Sequence, residues 1–456
     1  MRIATRARRT EQGNVVFVCL ILAGIVGYLL ASYLTLVEGQ HLATARSQSW
    51  NVCVPVLEAG IEEALTHLQY CTSTNLVATV TNLSSDGWAL DSTGTNYFKA
   101  RDLGDGCSYV ARISTTLPPI ITSTGTAPIP LSGTNLSRTV QCTTQRNALF
   151  AKGMVAKGQI DLNGNNIATD SFDSADPNYS TNGVYWPGHT KSNGDIATDS
   201  GLTNSLSVGN ATIQGHVSSG PGQNTIEVGP NGSVGSAAWI QGGNTGIQPG
   251  WSNDDMNVAF PDVQAPFSSG YSTPAGGSVG GTNYTYVMGS GNYELSTLSL
   301  SGQNQVLING NAVLYVTGNV SLAGNAQLII ATNASLMLYV GTANTNAPVS
   351  VSLGGNGIAN QGGNAANFYY FGLPSNTSLS LSGNATFTGA IYAPEAAFTL
   401  GGGGSGTYNF VGGSVSATAT MNGHYNFHYD ENLARVGPAR GYVVTSWNET
   451  FTYNEI

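Results

Sequence analysis

His424, His428 and Asp430 stand at even spacing near the end of the chain. Alternate residues of a strand share a face, so two imidazoles and a carboxylate would meet there, a set that can ligate a metal. The interleaved Tyr425, Phe427 and Tyr429 would form the opposite, packed face. On that pattern the run Phe427, His428, Tyr429, Asp430 reads as the terminal rung of a stacked β-structure, closed by hydrogen bonds. Asp170, Asp173 and Asp176 offer oxygen ligands for Ca²⁺, the one cofactor the sequence suggests, although aspartates beside Pro177 also form turns. A glycan hydrolase needs paired carboxylates, and Asp170 with Asp173 or Asp254 with Asp255 are the obvious pairs. Lyase chemistry needs a base and cations, and only Lys157 and Lys191 lie well inside this part of the chain.

Charge narrows the field further. The formal net charge is −10, and no Lys or Arg occurs between Lys191 and Arg435. That stretch can build no cationic phosphate-binding surface, so nucleic acid is not an expected partner. An Asn/Ser/Thr/Gly surface without cations suits neutral glycans instead, held through hydroxyl and amide hydrogen bonds with Tyr and Trp as stacking platforms.

Four of the five cysteines, Cys53, Cys71, Cys107 and Cys142, follow the first apolar run that holds Cys19. An even number in an exported segment predicts two disulfides, with three connectivities open. Cys53 and Cys71 would sit roughly 27 Å apart along a continuous helix, so pairing of the helix with the module that follows is favoured.

The elements that carry these residues begin at the N-terminus. Arg2, Arg6, Arg8 and Arg9 precede an uncharged run from Val15 to Val37, long enough for one transmembrane helix, and Glu38 follows it. The charge asymmetry places residues 1–13 in the cytoplasm and everything after Val37 outside. Helix formers continue through Val52, Val56, Glu62 and Glu63, so one long helix over 14–70 is expected, its axis kinked by Pro55. The tract Glu58-Ala59-Gly60-Ile61-Glu62-Glu63-Ala64-Leu65 resembles the minor pilins of type IV pilus and type II secretion systems. That resemblance implies cleavage by a prepilin peptidase after Gly13, leaving Asn14 as the first mature residue. Pilins carry a glutamate at the fifth mature position; this chain has Val18 there, which suits a tip or minor subunit without that intersubunit ion pair.

Residues 71–150 alternate short β-type runs with Ser/Thr/Asn/Gly turns, a small β-rich module holding the cysteines. Beyond Lys152 an apolar residue, any residue, Gly, Asn and a small or polar residue recur at Leu162, Ile308, Leu322 and Leu381. Gly-Asn pairs make tight turns. Leu381, Leu400 and Met421 lie 19 and 21 residues apart, a period that fits one coil of a right-handed parallel β-helix or similar solenoid. The expected fold is therefore mainly β: a β-solenoid over 151–436, preceded by the transmembrane helix and the small module and followed by a tail, 437–456. The echo of Ile167 to Ser171 at Ile196 to Ser200 is expected at equivalent places on neighbouring rungs, and Gly242 to Gly281 as a long loop or a break between two stretches of solenoid.

Phe387 to Pro394, Gly401 to Gly404, Phe410 to Gly413 and Phe427 to Leu433, with Leu149 to Gly153 and Asp170 to Ser174 upstream, resemble an uncharacterised outer domain of pilus-assembly-type bacterial surface proteins. Together the resemblances imply a non-enzymatic, structural or adhesive pilin-like protein, with a surface glycan hydrolase as the alternative. They also imply partners among other pilin-like subunits and the prepilin peptidase. Its place would be the bacterial inner membrane, with the outer domain in the periplasm or at the cell surface.

Overall fold

A computed structural model describes residues 15–69, 87–130, 132–164, 167–383, 386–402, 408–422 and 424–450. Gly13, Asn14 and Cys71 lie outside the described residues. The chain divides into two units, Met1–Arg146 with Gly441–Ile456, and Asn147–Arg440.

In the first unit, helix α1 spans Val15–Gln69 and runs on through Pro55. It is the one helix among the described residues long and apolar enough to cross a membrane. Its two halves differ in burial. From Val15 to Leu36 the side chains are exposed, whereas Ala45, Ser49, Cys53, Val56, Leu57, Ile61, Ala64 and Leu68 are buried. That three- and four-residue spacing makes one helical stripe. The stripe packs on an antiparallel sheet of β1 (Ala89–Leu90), β2 (Asn96–Gly104), β3 (Cys107–Ser114), β4 (Ile120–Pro128) and β5 (Asn135–Ala148). Two glycines permit the close approach: a Cβ on Gly125 would lie 2.7 Å from Cys53 O and Leu57 N, and one on Gly60 would run into Ser123 Oγ.

Two expectations need correction in this unit. The described part of the expected tail 437–456 is not separate, because Ala439–Thr450 forms the sixth strand of the sheet, beside β5. Arg138 joins these parts: its Nε and one terminal nitrogen donate to Glu449 at 2.7 and 2.9 Å, while the other donates to Trp50 O at 3.1 Å. Nor does the structure contain the two expected disulfides. Any two-bridge scheme for the four cysteines needs one bridge among Cys53, Cys107 and Cys142, and all three are free. Each is used otherwise: Cys53 donates to Leu136 O at 3.3 Å, and Cys107 and Cys142 face the helix as small apolar groups. Burial raises the Cys53 thiol and pushes Cys142 up to about 11.

The second unit is built almost wholly of parallel β-pairings. Its strands recur in ladders: from Gly291 to about residue 383 most paired strands have two others between them in the chain, while the long strands from Phe387 on pair with the next strand directly. Leu381 pairs with Leu400 and Leu400 with Met421, in register, so the spacing seen in the sequence is the spacing of stacked residues. Inward Leu, Ile, Val and Phe form one continuous core from Met154 to Phe427. Within it the rings of Phe387, Phe410 and Phe427 stack at 4.7 and 4.5 Å.

Order in the ladder differs from order in the chain. The early strand Met154–Ala156 pairs on one side with Ser414 to Ser416 and on the other with Ile196–Thr198. The chain therefore enters the stack in its middle and builds outward to Ser252–Asn253. It then crosses to the far end and builds back from Gly291–Leu295 to the late strands Tyr408–Met421 and Tyr425–Asp430. The crossing segment, expected as a loop or as a break between two stretches of solenoid, separates the two arms and lies along the ladder. Met256 N donates to Ser219 O, Val258 N to Asp199, Tyr392 OH to Pro261 O, and Ser272 N to Asn292 O. Met256 and Val263 are buried among Tyr369, Phe371, Tyr392 and Val415. The two sequence echoes are not equivalent: Ala168–Phe172 pairs with Thr212–Gln214, but Ile196–Thr198 pairs with Val217–Ser218, in another ladder.

Candidate functional site

The two groups singled out in the sequence meet at the seam where the early and late arms of the second unit pair. Tyr425–Asp430 lies parallel to Ala168–Phe172, with Phe427 opposite Thr169, His428 opposite Asp170, Tyr429 opposite Ser171 and Asp430 opposite Phe172. Residues 258 apart in the chain thus become neighbours. Phe427 points into the core, and Tyr429 OH donates to Phe150 O at 2.7 Å.

His428 is buried, with Nδ1 2.5 Å from Asp170 Oδ1 and Nε2 3.1 Å from Asn409 Oδ1. The Tyr185 ring stacks on its imidazole at 3.7 Å, and Tyr185 OH donates to the second Asp170 oxygen at 3.1 Å. Burial, then the Asp170 charge, raises the Tyr185 phenol. Both imidazole nitrogens and both Asp170 oxygens are thus committed to protein partners.

The three aspartates do not converge. Asp173 pairs with Arg435 and accepts from Ala175 N at 3.0 Å, and Asp176 accepts from Asn178 N at 2.9 Å. Among the described residues, no group of three or more His, Cys, Asp or Glu side chains is placed to hold a metal ion. The proposed set of His424, His428 and Asp430 is likewise separate: Asp430 Oδ1 accepts from Ser174 N and Asn432 N, both at 3.1 Å. Its Oδ2 is buried without a hydrogen-bond partner among the described residues, and burial raises its carboxyl. Asp254 and Asp255 are exposed in the crossing segment.

Sequence reasoning missed Tyr185, Asn409 and above all Glu431, which takes Lys191 as ion-pair partner and accepts from Ser171 Oγ at 2.8 Å and Asn193 Nδ2 at 2.7 Å. The scarcity of cations was the available signal. Lys152, Lys157, Lys191 and Arg435 all engage carboxylates, and three of these pairs, Lys157 with Glu395, Lys191 with Glu431 and Arg435 with Asp173, join one arm to the other. In chemical terms the seam is a polar lock: parallel backbone bonds align the arms, and charge-assisted hydrogen bonds fix their register.

A family model described as a domain of unknown function (DUF7305) matches residues 267–436. No curated protein matches the chain. Among solved structures, the crystal structure of the competence-associated pilin ComZ from Thermus thermophilus is similar at 12% identity, covering 87% of this chain and 96% of that one, with a TM-score of 0.22.

Proposed function

We propose that this chain is a membrane-anchored, pilin-like subunit of a type IV pilus or pseudopilus-type assembly, structural or adhesive and not enzymatic. The observation that carries the reading is the division of α1. Its first half is uncharged and exposed, suited to lipid before assembly and to the helices of other subunits after it; its second half carries a stripe that docks on an antiparallel sheet. Cationic residues before this first half and Glu38 after it orient the anchor with everything after Val37 outside the cytoplasm, in the periplasm or at the surface. The parallel ladders support a right-handed solenoid as the outer domain. Such a stack gives a long, weakly charged surface, suited to display and to neutral glycans.

Co-expression with a prepilin peptidase tests the anchor. The expected product begins at Asn14, and Gly13→Val blocks its formation. The processed protein should then appear in filaments sheared from cells. A chain that keeps Met1 with and without the peptidase, and never enters sheared filaments, would reduce the N-terminus to a signal anchor.

A further inference from the structure

The segment that crosses the ladder unit touches the aromatic rungs at two places and stands off between them. At one, Tyr392 OH donates to Pro261 O at 2.8 Å; at the other, the Phe267 ring meets Tyr315 edge-on at 5.9 Å. Between them a cleft of about 210 Å³ opens, lined by Pro261, Asp262, Val263 and Gln264 on the segment and by Tyr339 and Phe371 on the ladder. Tyr339 and Phe371 are register partners, with rings 4.7 Å apart and 23° from parallel, so they make one aromatic floor. Arg440 and Leu149 also line the cleft.

The polar groups at its rim are uncommitted. Asp262 and Gln264 are exposed, and neither side chain hydrogen-bonds to the described residues. Arg440, by contrast, already donates to Tyr392 OH at 2.9 Å and to Ala259 O. A planar carboxylate and a planar amide above an aromatic floor match one kind of ligand: a ring with an apolar face to stack and vicinal hydroxyls to donate and accept. An anionic ring would face the exposed Asp262 carboxylate, and two of the Arg440 N–H groups are held by Tyr392 OH and Ala259 O. A flat aromatic ligand would leave the two rim groups unmatched.

We propose that this cleft binds one neutral pyranose ring of a glycan, stacked on Tyr339 and Phe371 and hydrogen-bonded by Asp262 and Gln264. The proposal gives a place to the adhesive part of the reading above and rests on it; the anchor and filament parts stand apart. The test titrates full-length protein in detergent with methyl glycosides of glucose, galactose, mannose and N-acetylglucosamine, read by calorimetry and saturation-transfer NMR. We expect at least one to bind, with affinity little changed by salt. Asp262→Ala and Tyr339→Ala should each weaken it tenfold or more, while Tyr339→Phe, which keeps the floor, should bind within about twofold of wild type. Circular dichroism and incorporation into sheared filaments serve as controls and should match wild type in all variants. The site is overturned if no glycoside binds, if the alanine variants bind like wild type, or if Asp262→Ala loses filament incorporation together with sugar binding. The first two outcomes leave the filament reading intact.

Discussion

In the unit that holds α1, ion pairs tie the helix to its sheet and the last strand to β5, whereas in the ladder unit three of them gather where the two arms of the chain meet. Glu63 of α1 takes Lys99 at 3.0 Å and Arg101 at 2.5 Å, and Tyr109 OH donates to it at 2.5 Å. The ladder unit instead stacks apolar side chains through the whole late arm, from Gly291 to Asp430, without a cation, and places three cross-arm pairs at the seam. The difference follows from how each architecture sets register. A helix on an antiparallel sheet is positioned by its apolar stripe and local turns, so charges add only modest support. Parallel rungs of similar sequence can slip past one another, and these partly exposed pairs each add a modest preference for one register.

The sharpest way to break the comparison is to put charge where the ladder has none. Leu381 is buried between Leu353 and Leu400, its register partners, so Leu381→Asp places an unpaired carboxylate between stacked strands. We expect a loss of about 3 kcal/mol or more in this unit, with surface display lost and the first unit still folded. Fluorotryptophan NMR reads the two separately: Trp50, Trp88 and Trp447 report the first unit, and Trp186, Trp239 and Trp251 the second. Equal loss of all six signals would show that the units do not fold independently. The matching break in the first unit is steric. Gly125→Val forces side-chain atoms against the backbone of α1, and we expect about 2–3 kcal/mol of destabilisation confined to Trp50, Trp88 and Trp447.

At the seam, Glu431→Gln removes the charge facing Lys191 but keeps an acceptor for Ser171. We expect a loss of about 1–2 kcal/mol and faster protease cleavage near residues 170–195, with no change in the first unit. A silent substitution would mean that register is held by the apolar core alone.

Local patterns were the legible part of the sequence. The helix, expected over 14–70, is Val15–Gln69, because hydropathy and helix propensity act over neighbouring residues. The stacked Leu381, Leu400 and Met421 could be read from their spacing, since parallel pairing repeats at the length of one turn of the chain. What depends on distant partners could not be read. Ala439–Thr450 carries nothing that names β5 as its neighbour, and the pairing of Met154–Ala156 with Ser414 to Ser416 joins segments with no shared motif. The identical Ile167 and Ile196 echoes misled for the same reason: five residues suit any strand, and ladder membership is set by what precedes and follows. The cysteines misled because an even count says nothing of distance or orientation.

The smallest expected effect separates the units by the sign of their response to acid. Burial alone would raise the Glu63 carboxyl, but hydrogen bonds from Tyr109, Arg101 and Lys99 outweigh it and hold the group at about 2. A depressed carboxylate adds stability that is present above its unfolded value near 4.5 and is lost as pH falls towards 2. Asp430 is the reverse case. Burial raises it, with opposing hydrogen bonds from Ser174 and Asn432, and one of its oxygens has no partner among the described residues. A raised carboxyl favours the folded state below its unfolded value, and that contribution disappears as pH rises through the folded one. Between pH 7 and pH 3, Glu63→Gln should therefore flatten the acid loss of the first unit, at a cost of about 1 kcal/mol at neutral pH after solvent screening. Asp430→Asn should be neutral or slightly stabilising to the second unit at pH 7, because it removes a buried charge while Oδ1 still accepts from the same two amides. Unfolding midpoints followed by the two tryptophan sets across this range check both signs. Destabilisation by Asp430→Asn comparable to that of Glu63→Gln would mean that the seam uses the Asp430 charge, and that the two units resist acid in the same way.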